Sequence, residues 1–338
     1  MNIGILGAGS WGIALAVMLQ KRSHKICMWE YNEKDARFLQ QNRELPSKLP
    51  GVKIPQEIEI VNTIDTTIEM ADVVLCVVPS QTMRATLKSA VSKVSEESLK
   101  KIRGWVIASK GIERNTLALM TDVLLEEIPG VTGEKIVVLS GPSHAEEVSR
   151  NIPTTVVAAS ENIPLAEEIQ EQFSTETFRI YTNSDMKGVE LAASVKNVIA
   201  LAAGISDGMG FGDNTKGAIM TRGIVEMMRL GRKMGAQDST FSGLAGIGDL
   251  ITTCISKHSR NRQMGELIAK GYTLDEAKEH MTMIAEGVET TRSVYQLASK
   301  LKIEMPITTQ IYKVLFEDKP VKEAVKDLMH REAKPEWW

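Results

Sequence analysis

The chain opens with a short apolar run, Ile3–Leu6, that passes straight into Gly7-Ala8-Gly9-Ser10-Trp11-Gly12 and then into a stretch rich in alanine and leucine. Three glycines at this spacing, between a predicted strand and a predicted helix, read as a dinucleotide-binding turn on a Rossmann sheet. Gly7 permits the tight turn, Gly9 lets the backbone approach a pyrophosphate, and Gly12 lets the helix pack closely on the strand. Ser10 and Trp11 lie at the helix start, where unpaired N–H groups and the helix dipole favour an anion. These positions are therefore expected to hold a nicotinamide dinucleotide.

The pattern continues. Apolar, β-rich runs at Lys25–Glu30, Asp72–Val78, Val106–Ser109, Ile136–Ser140 and Thr155–Ala159 alternate with longer amphipathic stretches, as in βαβ units. The runs lack polar alternation, which suits parallel strands covered on both faces. Beyond Ser184 the periodicity turns helical, over Met186–Gly204, Thr215–Met234, Arg260–Lys270, Leu274–His280, Thr290–Lys300 and Ile307–Leu315, with no convincing strand. The expected architecture is an α/β Rossmann domain, doubly wound with a mostly parallel sheet, over residues 1–185. An all-α domain over 186–332 supplies the substrate side, and a poorly ordered tail covers 333–338. A chain of 338 residues with 43% hydrophobic content is long enough for two such cores. Glycine-punctuated segments at Ser206–Asn214 and Gly243–Asp249 read as loops near the site.

Charge and cysteine content exclude several classes. The formal net charge of −3, with both signs interspersed, gives no global field for nucleic acid or an anionic membrane. No uninterrupted apolar run approaches the ~20 residues needed to span a bilayer. The segment from Asn2 lacks the basic opening and small-residue cleavage site of a signal peptide. Cys27, Cys76 and Cys254 are widely separated, without a CxxC or a His-rich neighbourhood, and read as buried reduced thiols rather than a metal site. The expectation is a cytoplasmic protein without a metal that captures any anion at a local site.

The second strand ends at Glu30, about 18 positions beyond Gly12 and close to the roughly 20 expected of the acid that accepts the ribose hydroxyls. A carboxylate there repels a 2′-phosphate, which favours NAD over NADP, although Lys34 or Arg37 could soften the repulsion. An exposed acid at a strand end is the plainer alternative. Pro79-Ser80 closes a βα turn on the side where a nicotinamide would lie, and turn chemistry alone explains it equally well.

Further motifs follow in order: SKGIE at Ser109–Glu113, LSGPSHAEE at Leu139–Glu147, VKNVIALAAGISDG from Val195, GLAGIGDL at Gly243–Leu250, HSRNR at His258–Arg262, EGVETT at Glu286–Thr291 and EMPIT at Glu304–Thr308. With GAGSWG, this set resembles the bacterial glycerol-3-phosphate dehydrogenases, NAD(P)-dependent enzymes that interconvert dihydroxyacetone phosphate and sn-glycerol 3-phosphate. The resemblance implies that Lys196 is the catalytic acid/base, that Asp249 orients it, and that Lys110 touches both cofactor and substrate. It also implies cofactor contacts at Ala145, Arg260, Ile284 and Glu286, with Glu30-Tyr31 in a segment that differs among relatives according to cofactor. A phosphorylated small-molecule substrate, a product used for phospholipid synthesis and a homodimer follow from the same resemblance.

Residue chemistry agrees with these roles. Reducing a ketone by hydride needs an acid for the developing alkoxide, and a lysine ammonium supplies both proton and electrostatic stabilisation. Lys196 lies between Val195 and Val198 on a predicted helix, so an inward charge there needs local partners; a solvated helix lysine is the alternative. Lys110 ends an apolar run at the carboxyl edge of the sheet, where ligands bind, and Gly141 and Ser143 sit at the next such edge, offering an N–H and a hydroxyl to substrate oxygens. Ser259 reads as an N-cap with Arg260 and Asn261 in the first turn, so that dipole, N–H groups, guanidinium and amide converge on a phosphate. An ordinary exposed helix start is the competing reading. His144 is expected to hydrogen-bond locally rather than to act as a base. The rival functions are a related β-hydroxyacid dehydrogenase, which would bind a carboxylate in place of the phosphate, and a dinucleotide sensor without turnover. A sensor needs neither Lys196 nor Asp249.

Overall fold

The computed structural model describes residues 1–336. Eight strands, β1 (Asn2–Leu6), β2 (Lys25–Trp29), β3 (Glu59–Val61), β4 (Val73–Cys76), β5 (Gly104–Ile107), β6 (Ile136–Ser140), β7 (Thr154–Ala159) and β8 (Phe178–Asn183), form one sheet in the order β3-β2-β1-β4-β5-β6-β7-β8. Every neighbouring pair is parallel except β6 and β7. The continuous apolar runs have the expected cause. Ile3, Ile5, Met28, Val73 and Leu75 enter the core on one face, while Leu6, Trp29, Val74, Cys76 and Trp105 enter the core on the other. The order reverses between β1 and β4, which opens a crevice at the carboxyl ends of the strands.

Two strands lie outside the expected set, and both are edges. β3 has three residues, of which only Ile60 is buried. In β8, Phe178 and Ile180 are buried while Arg179 and Tyr181 are exposed, an alternation that marks a half-solvated strand instead of a central one. The fourth and fifth strands begin and end slightly off the expected bounds. After β5 the chain is tied to the end of β4 by Ser109, whose hydroxyl donates to the carbonyls of Val78 (2.5 Å) and Cys76 (3.2 Å).

From Met186 onward the described residues are helical. The central helix, Met186–Gly208, is almost wholly buried and carries Lys196 near its middle. By length and composition it is apolar enough to cross a membrane, although Lys187, Glu190 and Lys196 interrupt the apolar run, and every residue of its most apolar stretch is buried inside the protein. The helices Asp213–Lys233, Asp249–Ile255, Arg260–Ala269 and Glu286–Leu301 pack around it. Gly204 and Gly265 allow the close crossing with Arg260–Ala269: a side chain at Gly265 would strike the Leu201 carbonyl, and one at Gly204 would strike that of Arg262. Ile112 and Leu119, from the turn after β5, belong to this helical core, and so the β5 edge is drawn against the central helix.

Two loop expectations are corrected. Gly243–Asp249 is wound into a π-helical turn, Leu244–Gly248, that runs directly into Asp249–Ile255. Ser206–Asn214 is partly the end of the central helix and does not line the main cleft; its Asp207 instead pairs with Lys216 (2.7 Å) and Arg262 (2.6 Å). In the expected tail, Arg222 donates to the Glu336 carbonyl at 3.1 Å and Lys334 lies 3.4 Å from Glu304; residues 337 and 338 fall outside the described residues.

Candidate active site

A cleft of about 1060 Å³ runs along the carboxyl edge of the sheet and over the helical half. One wall is the first strand–helix turn. Gly7 has a φ of +118°, open to glycine at little cost, and a side chain at Gly12 would strike the Gly7 carbonyl. A Cβ at Gly9 would meet nothing within 4 Å, so the backbone there faces open cleft. The helix Ser10–Gln20 has no side-chain cap and no acid in its first turn. Its free N–H groups therefore suit a pyrophosphate, and the residues present fit a dinucleotide. Trp11 lines the same wall, its indole N–H buried without a partner among the described residues.

At one end of this wall stand Glu30 and the exposed Tyr31. Glu30 is buried rather than exposed. Its Oε1 accepts the Asn32 N–H at 3.0 Å, and its Oε2 lies 3.1 Å from Lys48 Nζ. Neither Lys34 nor Arg37, the cations nearest in sequence, lines the cleft, and Arg37 is paired with Glu33. Lys48 takes that place, and nothing in the periodicity pointed to it.

The opposite wall carries the charged centre. Lys196 Nζ lies 3.0 Å from Asp249 Oδ1, and Lys110 Nζ lies 2.8 Å from Asp249 Oδ2, so one carboxylate bridges two ammonium groups. The Thr253 hydroxyl accepts from Lys196 at 2.7 Å and donates to Asp249 Oδ1 at 3.2 Å. Burial pushes the Lys196 ammonium down to about 8, against the pull of Asp249 and with the push of Lys110. Burial also works against the charge on Asp249, but Lys110 and Lys196 outweigh it and hold the carboxyl below its usual value. Thr253 escaped the sequence reading because it lies outside the ordered motifs, and only the helix Asp249–Ile255 brings it one turn from Asp249.

Lys110 is aimed by its neighbours. Gly141 turns its carbonyl toward Lys110 Nζ (3.3 Å) and toward the Ser143 hydroxyl (3.0 Å), and Gly141 itself does not line the cleft. The Gly111 N–H donates to Ser194 on the central helix at 3.0 Å, tying the Lys110 turn to the helix that bears Lys196. Ser143 and Ala145 line the cleft from the β6 edge. His144 lines it as well, but its Nε2 is buried and lacks the local hydrogen bond expected of it among the described residues. Burial, then the Lys196 charge, lowers its pKa and so favours the neutral ring.

The remaining predicted residues meet at two helix starts. Ser259 caps Arg260–Ala269 by accepting the Arg262 N–H at 3.2 Å, which places Arg260 and Asn261 in the first turn, facing the cleft. Asn261 Oδ1 accepts the Gly287 N–H at 2.8 Å, so the NH₂ end of its amide is the part available to a ligand. Glu286 begins the helix Glu286–Leu301 and accepts the Ser80 N–H at 3.2 Å, bridging to the sheet half. Burial raises its carboxyl pKa, against the pull of Arg260. Ile284 is an exposed apolar rim beside it.

A cleft that joins a nucleotide-binding sheet edge to a buried, proton-holding lysine defines a NAD(P)-dependent dehydrogenase. The family model for the N-terminus of NAD-dependent glycerol-3-phosphate dehydrogenase matches residues 2–178, and that for the C-terminus matches residues 185–326. The chain belongs to this family. A glycerol-3-phosphate dehydrogenase (NAD(P)+) of Chlorobium luteolum is 49% identical over 336 residues, covering 99% of each chain. One from Bacillus licheniformis is 46% identical over 331 residues, 98% of this chain and 94% of that one. The crystal structure of glycerol-3-phosphate dehydrogenase from Coxiella burnetii superposes with a TM-score of 0.92 at 36% identity, over 98% of this chain and 99% of that one.

Proposed function

We propose that the cleft interconverts dihydroxyacetone phosphate and sn-glycerol 3-phosphate, with Lys196 as the acid/base. When bound along the glycine turn, a nicotinamide dinucleotide would supply the hydride for C2 in reduction and accept it in oxidation. Lys196 gives its proton to the C2 oxygen as the ketone becomes an alcohol, and takes it back in the reverse direction. A pKa near 8 suits both duties near neutral pH. Asp249 orients Lys196, with Thr253 holding both. Lys110 adds positive charge at the reacting oxygen, and Ser143 orients the substrate while Gly141 acts through Lys110. The phosphate is held by Arg260, Asn261 and the N–H groups after Ser259.

For the coenzyme, Gly7, Gly9, Ser10 and Trp11 hold the pyrophosphate side, Glu30 accepts the ribose hydroxyls beside Tyr31, and Ala145, Ile284, Arg260 and Glu286 complete the wall. NADH is the preferred form. Residues 1–185 act as the nucleotide domain and 186–332 as the substrate domain, a division supported by the change from strands to helices between Asn183 and Met186. The chain works in the cytoplasm as a homodimer, with its cysteines reduced, and supplies a phospholipid precursor.

The observation that carries this reading is the Lys196–Asp249 pair opening on the same cleft as the glycine turn and the Arg260 helix start. The test follows oxidation of NADH and of NADPH separately, with dihydroxyacetone phosphate and with dihydroxyacetone. Turnover restricted to the phosphorylated ketone supports the assignment. Oxidation with neither ketone would sink it in favour of a sensor. Sedimentation and cell fractionation test the dimer and the compartment.

A further inference from the structure

The Lys48–Glu30 pair changes what the ribose end of the cleft can accept. An acid at the end of β2 discriminates against a 2′-phosphate by repulsion, and repulsion needs a charge that is not already compensated. Glu30 is compensated: Lys48 Nζ lies 3.1 Å from its Oε2, with Asp35 Oδ2 a further partner of Lys48 at 3.5 Å. Both Lys48 and Glu30 line the cleft, and the ammonium is the more exposed of the two.

A tight turn fixes the backbone under Lys48. The N–H groups of Lys48 and Leu49 both donate to the Leu45 carbonyl at 2.9 Å, and Leu45 and Leu49 are core residues. A four-carbon stem on such a turn can carry its ammonium from Glu30 to a neighbouring anion by rotamer change alone. Glu30 would then keep the Asn32 N–H on its other oxygen. Of the other cations lining the cleft, Lys110 and Lys196 pair with Asp249, Lys278 pairs with Asp275, and Arg260 stands at the helix start on the substrate side, where its charge acts on Glu286.

We propose that Lys48 is the residue that admits a 2′-phosphate, so that this chain accepts NADPH through Lys48 and NADH through Glu30. The proposal rests on the reading of Glu30 as the ribose acid, and makes Lys48 a specificity residue rather than a structural ion-pair partner.

Its test measures binding apart from turnover. Calorimetric titration of the full chain with AMP and with adenosine 2′,5′-bisphosphate isolates the 2′-phosphate, because the two probes differ in nothing else. Lys48→Met should weaken the bisphosphate by about ten- to hundredfold, the range of a charge-assisted hydrogen bond, and leave AMP within about twofold. In steady state the NADPH to NADH ratio of kcat/KM should fall by the same factor, a ratio that is independent of the fraction of folded protein. Equal weakening of both probes, or no weakening of the bisphosphate, would overturn the proposal. Glu30→Gln separates the underlying reading: unchanged AMP and NADH binding in that variant removes Glu30 from the ribose, while the Lys48 result still stands on the bisphosphate alone.

Discussion

Lys196 Nζ and Asp249 Oδ1 are 3.0 Å apart and both side chains are almost closed to solvent. An ammonium in that setting is held by one carboxylate against the cost of burial, and its pKa of about 8 is the balance of the two. The sign of the pH dependence follows. Ketone reduction needs the protonated lysine, so kcat/KM for dihydroxyacetone phosphate should fall as pH rises through about 8. Alcohol oxidation needs the neutral amine and should rise through the same range. Asp249→Asn removes the charge that holds the pKa up, so the limb in both profiles should move to lower pH. A limb unchanged in Asp249→Asn would show that another group titrates.

Removing the acid itself is more severe. Lys196→Ala should lower kcat by about 10² to 10⁴, typical of a lost general acid, while NADH affinity measured by fluorescence titration stays nearly unchanged. Turnover within a few-fold of wild type at saturating substrate would take the proton-transfer role away from Lys196. Thr253→Val, which loses both hydroxyl contacts and keeps the shape, should produce a milder loss in kcat than in Lys196→Ala.

Arg260 separates phosphate binding from catalysis. Arg260→Ala should weaken dihydroxyacetone phosphate by about 1.5–3 kcal/mol, the range of a charged hydrogen bond. Dihydroxyacetone has no phosphate to lose, so wild type and variant should use it equally poorly. Equal losses on both ketones would move Arg260 to the coenzyme or to the fold, where its pull on Glu286 already places some of its charge.

How much of this was readable in the sequence depends on how local each feature is. The strands from Ile3 to Ala159 announced themselves because a sheet covered on both faces writes unbroken apolar runs, whereas the edges β3 and β8 write one buried residue or an alternation. Gly243–Asp249 has the composition of a loop, yet it is wound into a π-helical turn in which Gly246 lies so close to the Phe241 carbonyl that no side chain would fit. Composition does not distinguish so tight a winding from an open loop, and Thr253, just beyond it, belongs to none of the ordered motifs. Lys196, Asp249, Lys110 and Arg260 came from ordered motifs, and the structure brings all four to one cleft. Lys48 had neither motif nor period, since its meaning arises only when its turn folds back beside β2.

A buried carboxylate away from the site gives a stability prediction. Glu226 accepts the N–H groups of Ile307 (2.5 Å) and Thr308 (3.1 Å) and the Thr308 hydroxyl (2.9 Å), satisfying the start of the helix Pro306–Phe316. Burial nevertheless pushes its carboxyl up to about 7. Because the folded value lies above the ordinary one, this group's contribution is full below about pH 4.5 and is lost as pH rises through about 7. Glu226→Gln keeps an acceptor and cannot ionise. Its unfolding free energy, from melting curves, should vary less between pH 5 and 8 than that of wild type, by an amount on the order of 1–3 kcal/mol. Parallel melting curves for the two proteins across that range would show that Glu226 stays charged throughout.

Coenzyme choice is the sharpest test of the ribose end. Glu30 offers the adenine ribose a charge-assisted acceptor, worth about 1.5–3 kcal/mol, or one to two decades in kcat/KM. Its pairing with Lys48 at 3.1 Å trims the repulsion of a 2′-phosphate, so wild type should prefer NADH near the lower end of that range, about tenfold. Glu30→Ser removes the acceptor and frees Lys48 at once. NADH should weaken, NADPH should improve, and the preference should close or invert. kcat with NADH should change little, because the reacting carbon lies at the far end of the coenzyme. Wild-type kinetics that already favour NADPH would mean that Glu30 does not meet the ribose, and that Tyr31 and Lys48 set the choice without it.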